Sequence, residues 1–154
     1  MTDTQPLPTD PQALAEAVAA AMWSRDRAAQ ALGMRIDSVA PGRATLSMPV
    51  RSDMVNGHHI CHGGLIFTLA DTAFAYACNA YNRNTVASGC SIDFVAPGKE
   101  GDTLSAEAVE RALAGRTGVY DITVRNSAGG IVALFRGKSY RIAGEVIPGN
   151  EPQS

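Results

Sequence analysis

The pattern of apolar and polar residues predicts helices in the first part of the chain and strands in the last. From Asp10 the segment QALAEAVAAAMW is rich in Ala and Leu, Asp10 can cap it, and Pro11 suits the first turn. A second helical piece, SRDRAAQALGM, ends near Gly33. RIDSVAPGRATLSMPV then alternates as two short strands around a turn at Pro41 and Gly42. A loop, RSDMVNGHHICHGG, follows them because Asn, Gly and Asp disfavour regular structure.

The segment from Gly64 to Tyr81, GLIFTLADTAFAYACNAY, predicts a buried helix. It has no Pro, carries Gly only at its first position and is apolar on nearly every side, which is typical of a helix inside a core. Four alternating segments follow, TVASGCSIDFVAP, DTLSAEAVERAL, TGVYDITVRNS and GIVALFRGKSYRI, separated by GKEG, AGR and AGG. This order predicts an α+β fold in which an antiparallel sheet wraps around one central helix.

Length and composition indicate one folded domain. The chain has 154 residues, 45% hydrophobic and 18% charged, which suits a single packed core. We expect this domain to span residues 10–143. The polar, Pro-rich residues 1–9 and the polar residues 144–154 are expected to be flexible.

Charge and cysteine content limit the possible partners. The formal net charge is -2 and no segment is strongly basic, so we expect no nucleic-acid partner. Three cysteines are an odd number without small-domain spacing, which favours a reducing compartment over a disulfide framework. The chain starts with no basic and apolar leader, and no apolar run approaches the roughly 20 residues that cross a bilayer. We therefore expect a cytoplasmic protein with no membrane partner.

Asp71 is the single charged residue of the predicted central helix. Its helical neighbours are Phe67, Thr68, Phe74 and Ala75, and an ionised carboxylate among them is costly unless it is paired or faces a wet cleft. Two interpretations stay open. Asp71 is either a structural residue that bonds a neighbouring group or an Arg of a partner subunit, or a catalytic base or nucleophile.

Gly63 and Gly64 lie where the loop becomes this helix. A helix start offers unpaired N–H groups, and glycine lets a ligand approach them, so this end suits an oxyanion; a flexible turn is the alternative. Gly63 and Asp71 are eight residues apart, about 12 Å along one helix. They cannot both touch one carbonyl carbon, so a shared function predicts a symmetric dimer with two sites built from both subunits.

The histidines of the loop raise the possibility of a metal site. His58 and His62 are four residues apart, a spacing that binds metal on a helix. However, Gly and Asn disfavour a helix before residue 62, and no carboxylate or second Cys accompanies His59 and Cys61 nearby. We expect no metal and no cofactor, and we expect the His62 ring to set the helix start through a hydrogen bond.

The segment NGHHICHGGLIFTLADTAFAYACNA, with DFVAPGKEGDTL, GVYDITV and VALFRGKSYRI after it, resembles the hotdog-fold acyl-CoA thioesterases of the phenylacetate-degradation (PaaI) type. The resemblance covers about Ala31 to Ile142. It implies the hotdog fold, dimers that commonly pair into tetramers, no metal, and hydrolysis of arylacetyl-CoA thioesters, including ring-hydroxylated phenylacetyl-CoA.

The resemblance also implies roles for single residues. Asp71 matches the essential carboxylate, Gly63 the oxyanion donor, and Asn56 the residue near the reacting carbonyl or the attacking water. His62 and Thr72 match supporting positions. Two alternatives remain: an acyl-CoA hydratase or dehydratase of the same fold, in which His62 and Asp71 of a partner move protons, and a non-catalytic acyl-CoA binding module.

Four further residues are candidates for binding coenzyme A. RGKS at 136–139 is no phosphate-binding loop, because Val132 stands where that motif needs Gly. Arg136 and Lys138 alternate on a predicted strand and point the same way, so they either meet the coenzyme A phosphates or form an ordinary solvated face. Ser88 and Gly89 could approach the pantetheine arm.

Overall fold

The computed structural model describes residues 6–149 and shows an α+β fold with one sheet and a long central helix. The helices are α1 (Pro11–Trp23), α2 (Arg27–Ala31) and α3 (Gly63–Asn79), and the strands are β1 (Arg35–Ala40), β2 (Arg43–Pro49), β3 (Thr85–Phe94), β4 (Thr103–Ala114), β5 (Thr117–Arg125) and β6 (Ile131–Arg141). The strands lie in the order β1-β2-β4-β5-β6-β3, with every neighbouring pair antiparallel. The predicted fold class is confirmed.

Helix α3 is the centre of the core. Leu69, Ala70, Ala73 and Ala77 are fully buried against the concave face of the sheet. A Cβ atom on Gly137 of β6 would lie 2.8 Å from the Phe74 ring, so glycine is needed for the helix to approach the sheet this closely. The helix begins one residue before the predicted Gly64 and ends at Asn79 rather than Tyr81.

Strand β3 forms one edge of the sheet and is exposed along most of its length. Its strand partner on one side is β6, and within residues 6–149 no strand pairs with its other side. Phe94 is 55% exposed and the following Val95 59%, which are high values for large apolar residues. A long, apolar edge strand is a common place for a second chain to pair.

The two chain ends were expected to be flexible, and that expectation stays a prediction. Residues 1–5 and 150–154 lie outside the described residues. Within the described part of the tail, Ile147 exchanges two hydrogen bonds with the Asn82 side chain, and Glu145 pairs with Arg83. In the described part of the chain, no helix combines the length and apolar character needed to cross a membrane. The cytoplasmic location also stays a prediction.

Candidate active site

The start of α3 presents one open backbone donor. His62 caps the helix: its ring Nδ1 accepts from the Gly64 N–H at 3.3 Å, as the sequence predicts. The Leu65 and Ile66 N–H groups both donate to the His62 carbonyl. The Gly63 N–H has no acceptor among residues 6–149. Gly63, rather than Gly64, is therefore the donor left for a ligand at the positive end of the helix dipole.

A second donor comes from the loop before the helix. The Asn56 Oδ1 accepts from the N–H groups of His58 at 2.9 Å and Ile60 at 3.4 Å. The Asn56 N–H in turn donates to the Ile60 carbonyl, so the loop closes on itself, with His59 in the left-handed region at φ 60°. Because the amide oxygen is engaged within the loop, the Asn56 Nδ2 group is the part of this side chain that can donate to a ligand.

Asn56 and Gly63 border one cavity of about 450 Å³. The rest of its wall is mostly apolar and comes from Ile60, Cys61, Ile66, Phe94, Val95 and Pro97. The Phe94 ring packs against Gly63 so closely that a Cβ atom there would lie 3.0 Å from the ring Cζ. A few donors at one end of an apolar cavity are typical of a small-molecule site.

Asp71 lies two turns further along α3, away from this cavity. Its carboxylate is half-buried and has no hydrogen-bond or ion-pair partner in the described part of the chain, and burial raises its pKa above the usual 3.8. The Asp71 charge contributes, after burial, to raising the pKa of the Cys90 thiol on β3. A partly desolvated carboxylate without a partner is a typical feature of a functional site. Its neighbour Thr72 donates its hydroxyl to the Thr68 carbonyl at 2.6 Å.

The four residues expected to bind coenzyme A meet at the β3–β6 edge. Gly89, Arg136 and Lys138 border a concavity of about 440 Å³, and the Ser88 hydroxyl donates to the Lys138 carbonyl at 3.2 Å. Arg136 and Lys138 point to the same, exposed side of the strand, as predicted.

Arg136 already has a strong partner. It donates two hydrogen bonds to Asp121, at 2.7 and 3.0 Å, and these hold the pKa of that carboxyl below its usual range. Lys138 has no ion pair within residues 6–149 and is the freer cation.

The structure thus brings Asn56, Gly63, Gly64 and His62 together and leaves Asp71 with Thr72 elsewhere on the same helix. His62 and Asp71 are nine residues apart, too far to form the proton-transfer pair of a hydratase within one chain. No group of three or more His, Cys, Asp and Glu side chains among the described residues is placed to hold a metal ion.

Sequence reasoning missed the apolar wall of the cavity. Phe94 and Val95 are consecutive apolar residues at the end of a strand, and alternation alone assigns only one of them to the core. The signal that could have found them is this break in alternation directly before the turn sequence APG.

Comparison with known proteins matches the fold and the site region. The sequence profile of the thioesterase superfamily matches residues 58–133. The acyl-coenzyme A thioesterase PaaI of Escherichia coli (strain K12) is 53% identical over 82% of this chain and 90% of its own length. The solved structure of Escherichia coli PaaI, from the phenylacetic acid degradation operon, has a TM-score of 0.87 at 51% identity, over 88% of this chain and 99% of that one.

Two other solved structures are similar over most of their length. A mutant of the phenylacetic acid degradation protein PaaI from Thermus thermophilus has a TM-score of 0.73 at 38% identity, over 76% of this chain and 100% of that one. A Streptococcus mutans protein bound to acetyl CoA has a TM-score of 0.70 at 26% identity, over 73% and 90%. The chain therefore belongs to the thioesterase superfamily. Within that superfamily it is of the PaaI type, which confirms the resemblance found in the sequence.

Proposed function

We propose that this protein hydrolyses arylacetyl-CoA thioesters, phenylacetyl-CoA and its ring-hydroxylated forms among them, to the free acid and coenzyme A. The observation that carries the proposal is the half-buried, unpartnered Asp71 on the same helix whose first residue, Gly63, has an N–H without an acceptor within residues 6–149. The link of the two PaaI relatives to phenylacetic acid degradation supports the acyl group.

Both groups act on one thioester only if two subunits share the site. Gly63 packs against Phe94, and the Asn79 side chain hydrogen-bonds Thr85, so α3 and β3 run antiparallel side by side. For Gly63 of one subunit to reach Asp71 of the other, a two-fold axis must pass midway between them. The midpoint of Gly63 and Asp71 lies a quarter of the way along α3. The same fraction of the antiparallel β3, counted back from Phe94, places the axis at about Ile92.

The exposed edge of β3 suits this arrangement. Pairing of β3 with its copy around Ile92 would continue the sheet across the dimer and cover the open strand edge. The protein is then a homodimer with two equivalent sites, or a dimer of dimers built from it.

In this site the Gly63 N–H and the Asn56 Nδ2 group of one subunit hold the carbonyl oxygen and stabilise the negative charge that develops on it. Asp71 of the other subunit attacks the carbonyl carbon or removes a proton from the attacking water. With Asp71 as base, water forms the new C–O bond, the C–S bond breaks, and the proton taken from the water passes to the departing thiolate. With Asp71 as nucleophile, the C–S bond breaks as a mixed anhydride forms on the carboxylate, and water then cleaves this anhydride to the free acid, its proton passing to the thiolate. His62 and Thr72 position the helix start and the Asp71 turn. Lys138, Arg136, Gly89 and Ser88 contact coenzyme A at the β3–β6 edge.

Turnover of an acyl-CoA panel, measured by free-thiol release with and without a chelator, tests the reaction. We expect phenylacetyl-CoA and hydroxyphenylacetyl-CoA to be hydrolysed fastest, with no effect of the chelator. Absence of thiol release over hours would point to a binding module, and water addition to an enoyl-CoA would point to a hydratase.

Subunit mixing tests the shared site. Asp71→Asn and Asn56→Asp should each be nearly inactive alone, but a mixed dimer keeps one site with both native residues. Random mixing in equal amounts should therefore restore about a quarter of wild-type turnover. If the mixture stays as inactive as its components while mass spectrometry shows mixed dimers, each site lies within one chain.

A further inference from the structure

We propose that Phe94 determines acyl specificity: its ring forms the face against which the aryl ring of the substrate packs. The inference rests on the proposed function and goes beyond it, because it names the side chain that separates aryl from alkyl substrates.

Phe94 has the position that this role requires. It ends β3, its side chain is 55% exposed, and it borders the same cavity as Asn56 and Gly63. The ring lies against Gly63, the residue whose N–H has no acceptor within residues 6–149. In the single chain this exposed aromatic side chain lies directly beside an open oxyanion donor, and in the proposed dimer it lies at the site that the two subunits share, two residues from the axis at Ile92.

The covalent geometry of an arylacetyl group brings its ring to this place. A carbonyl oxygen bound by Gly63 lies about 2.9 Å from its nitrogen. One methylene joins the carbonyl carbon to the ring, so the ring centre lies within about 4 Å of that carbon, given bonds of about 1.5 Å. The centre of the substrate ring is therefore confined to within about 8 Å of the nitrogen of Gly63, the residue against which the Phe94 ring packs.

The residues that border the cavity suit the acyl group of the substrate better than its pantetheine arm as the part that occupies it. Pantetheine carries two amide groups, and burying them without partners is costly. Of the side chains that border this cavity in the described part of the chain, Asn56 alone carries an amide or hydroxyl group, and it is assigned to the carbonyl oxygen. An aryl ring needs no such partners and gains from apolar walls.

The experiment compares phenylacetyl-CoA with cyclohexylacetyl-CoA, two acyl groups of similar size of which only the first is aromatic. Phe94→Leu should lower the ratio of their kcat/KM values about two- to tenfold, the range expected for loss of one aromatic pair. Phe94→Tyr keeps the ring and should keep the ratio. Tyr140→Leu is the matched control, because Tyr140 is also an exposed aromatic residue, at 40%, but lies outside the cavity on β6.

Sedimentation velocity of each variant separates substrate binding from subunit contact. If Phe94→Leu leaves the ratio of kcat/KM values unchanged, the inference is wrong. It is also wrong if kcat/KM falls equally for both substrates while the oligomer dissociates, because the ring then contacts the other subunit. If the wild type hydrolyses neither thioester, the proposed function fails first. In that case the role of Phe94 is tested with S-(2-phenylethyl)-CoA and S-(2-cyclohexylethyl)-CoA, which cannot be hydrolysed. The ratio of their affinities, compared between the wild type and Phe94→Leu, replaces the ratio of kcat/KM values.

Discussion

The two ends of α3 differ in how completely their polar groups are paired. At the start, the Gly63 N–H and the Asn56 Nδ2 group have no acceptor within residues 6–149, and the apolar Phe94 is exposed beside a cavity of about 450 Å³. At the other end, the Asn79 amide donates to the Ala75 and Thr85 carbonyls at 2.9 and 3.0 Å and accepts from the Thr85 N–H.

The pairing continues beyond Asn79. A single Glu110 oxygen accepts from the hydroxyls of Tyr81 at 3.0 Å and Tyr120 at 2.9 Å, and burial together with this carboxylate raises the pKa of Tyr81 to about 12. The cavity there holds only about 10 Å³, room for about one water molecule. Buried polar groups that are fully paired stabilise the fold, whereas open donors beside an apolar cavity are typical of a ligand-binding site. The difference supports the proposal that the reaction takes place at the start of the helix, whereas the pairing at the other end stabilises the fold.

The largest effect is expected at Asp71, which in the proposed dimer serves the first end of the partner subunit's helix. Asp71→Asn should lower kcat about 10³-fold or more, because the amide can neither attack nor accept a proton. Free-thiol release with phenylacetyl-CoA measures the loss, and gel filtration checks that the oligomer persists. Substantial residual turnover would remove Asp71 from the mechanism.

The pH dependence of this residue has a definite sign. Burial raises the pKa of Asp71 above 3.8, so the active carboxylate is lost, as pH falls, at a higher pH than for an ordinary aspartate. The same shift means that the folded state binds this proton more tightly than the unfolded state, so ionisation of Asp71 costs stability as pH rises from 3.8 through the raised pKa. Asp71→Asn should therefore raise Tm at pH 7, and the difference should vanish at about pH 3. If the Tm difference between Asp71→Asn and the wild type is the same at both pH values, burial of the Asp71 charge is not its cause.

A smaller loss is expected at Asn56. In Asn56→Asp an oxygen can still accept from the His58 and Ile60 N–H groups, so the loop keeps its shape, but the amide donor is gone and a negative charge faces the oxyanion. We expect kcat to fall about 10²-fold, the usual cost of one oxyanion donor, at nearly unchanged Tm. A fall in Tm that parallels the fall in kcat would show that Asn56 acts only through the loop.

A still smaller effect is expected for a methyl group at Gly63. In Gly63→Ala the N–H remains, but the new Cβ would lie 3.0 Å from the Phe94 ring and must displace it. We expect about a tenfold loss of kcat/KM, since small misplacements in an active site reduce rates. Gly64→Ala is the matched control, because its Cβ would meet His62 at an ordinary 3.5 Å and alanine favours a helix. Equal losses in both variants would exclude the contact with Phe94 as the cause.

The smallest effect on turnover is expected at the other end of the helix. Asn79→Ala leaves the Thr85 backbone without its partners and should cost about 2 kcal/mol, which lowers Tm by roughly 4–8 °C. The kcat of the folded enzyme should stay within about twofold of the wild type. A large loss of kcat at temperatures well below Tm would show that the two ends of α3 are not independent.

The parts of this molecule that follow from local rules could be predicted from the sequence. The buried helix, the single carboxylate in it and the glycines at its start depend on neighbours within a few residues, as does the His62 cap. The strand order could not be predicted, because alternation places a strand in a sheet without stating its neighbours. The exposed edge position of β3 was missed for that reason.

The sequence by itself determined that Asp71 and Gly63 lie on one helix, too far apart for one carbonyl, because helical rise per residue is constant. Only the tertiary structure decided what surrounds them. It brought Phe94, 31 residues away along the chain, onto Gly63, and it turned the Asn56 amide so that its nitrogen stays open within the described part of the chain. Such contacts depend on how the sheet curves around the helix, and packing between distant segments leaves no periodic signal in the sequence.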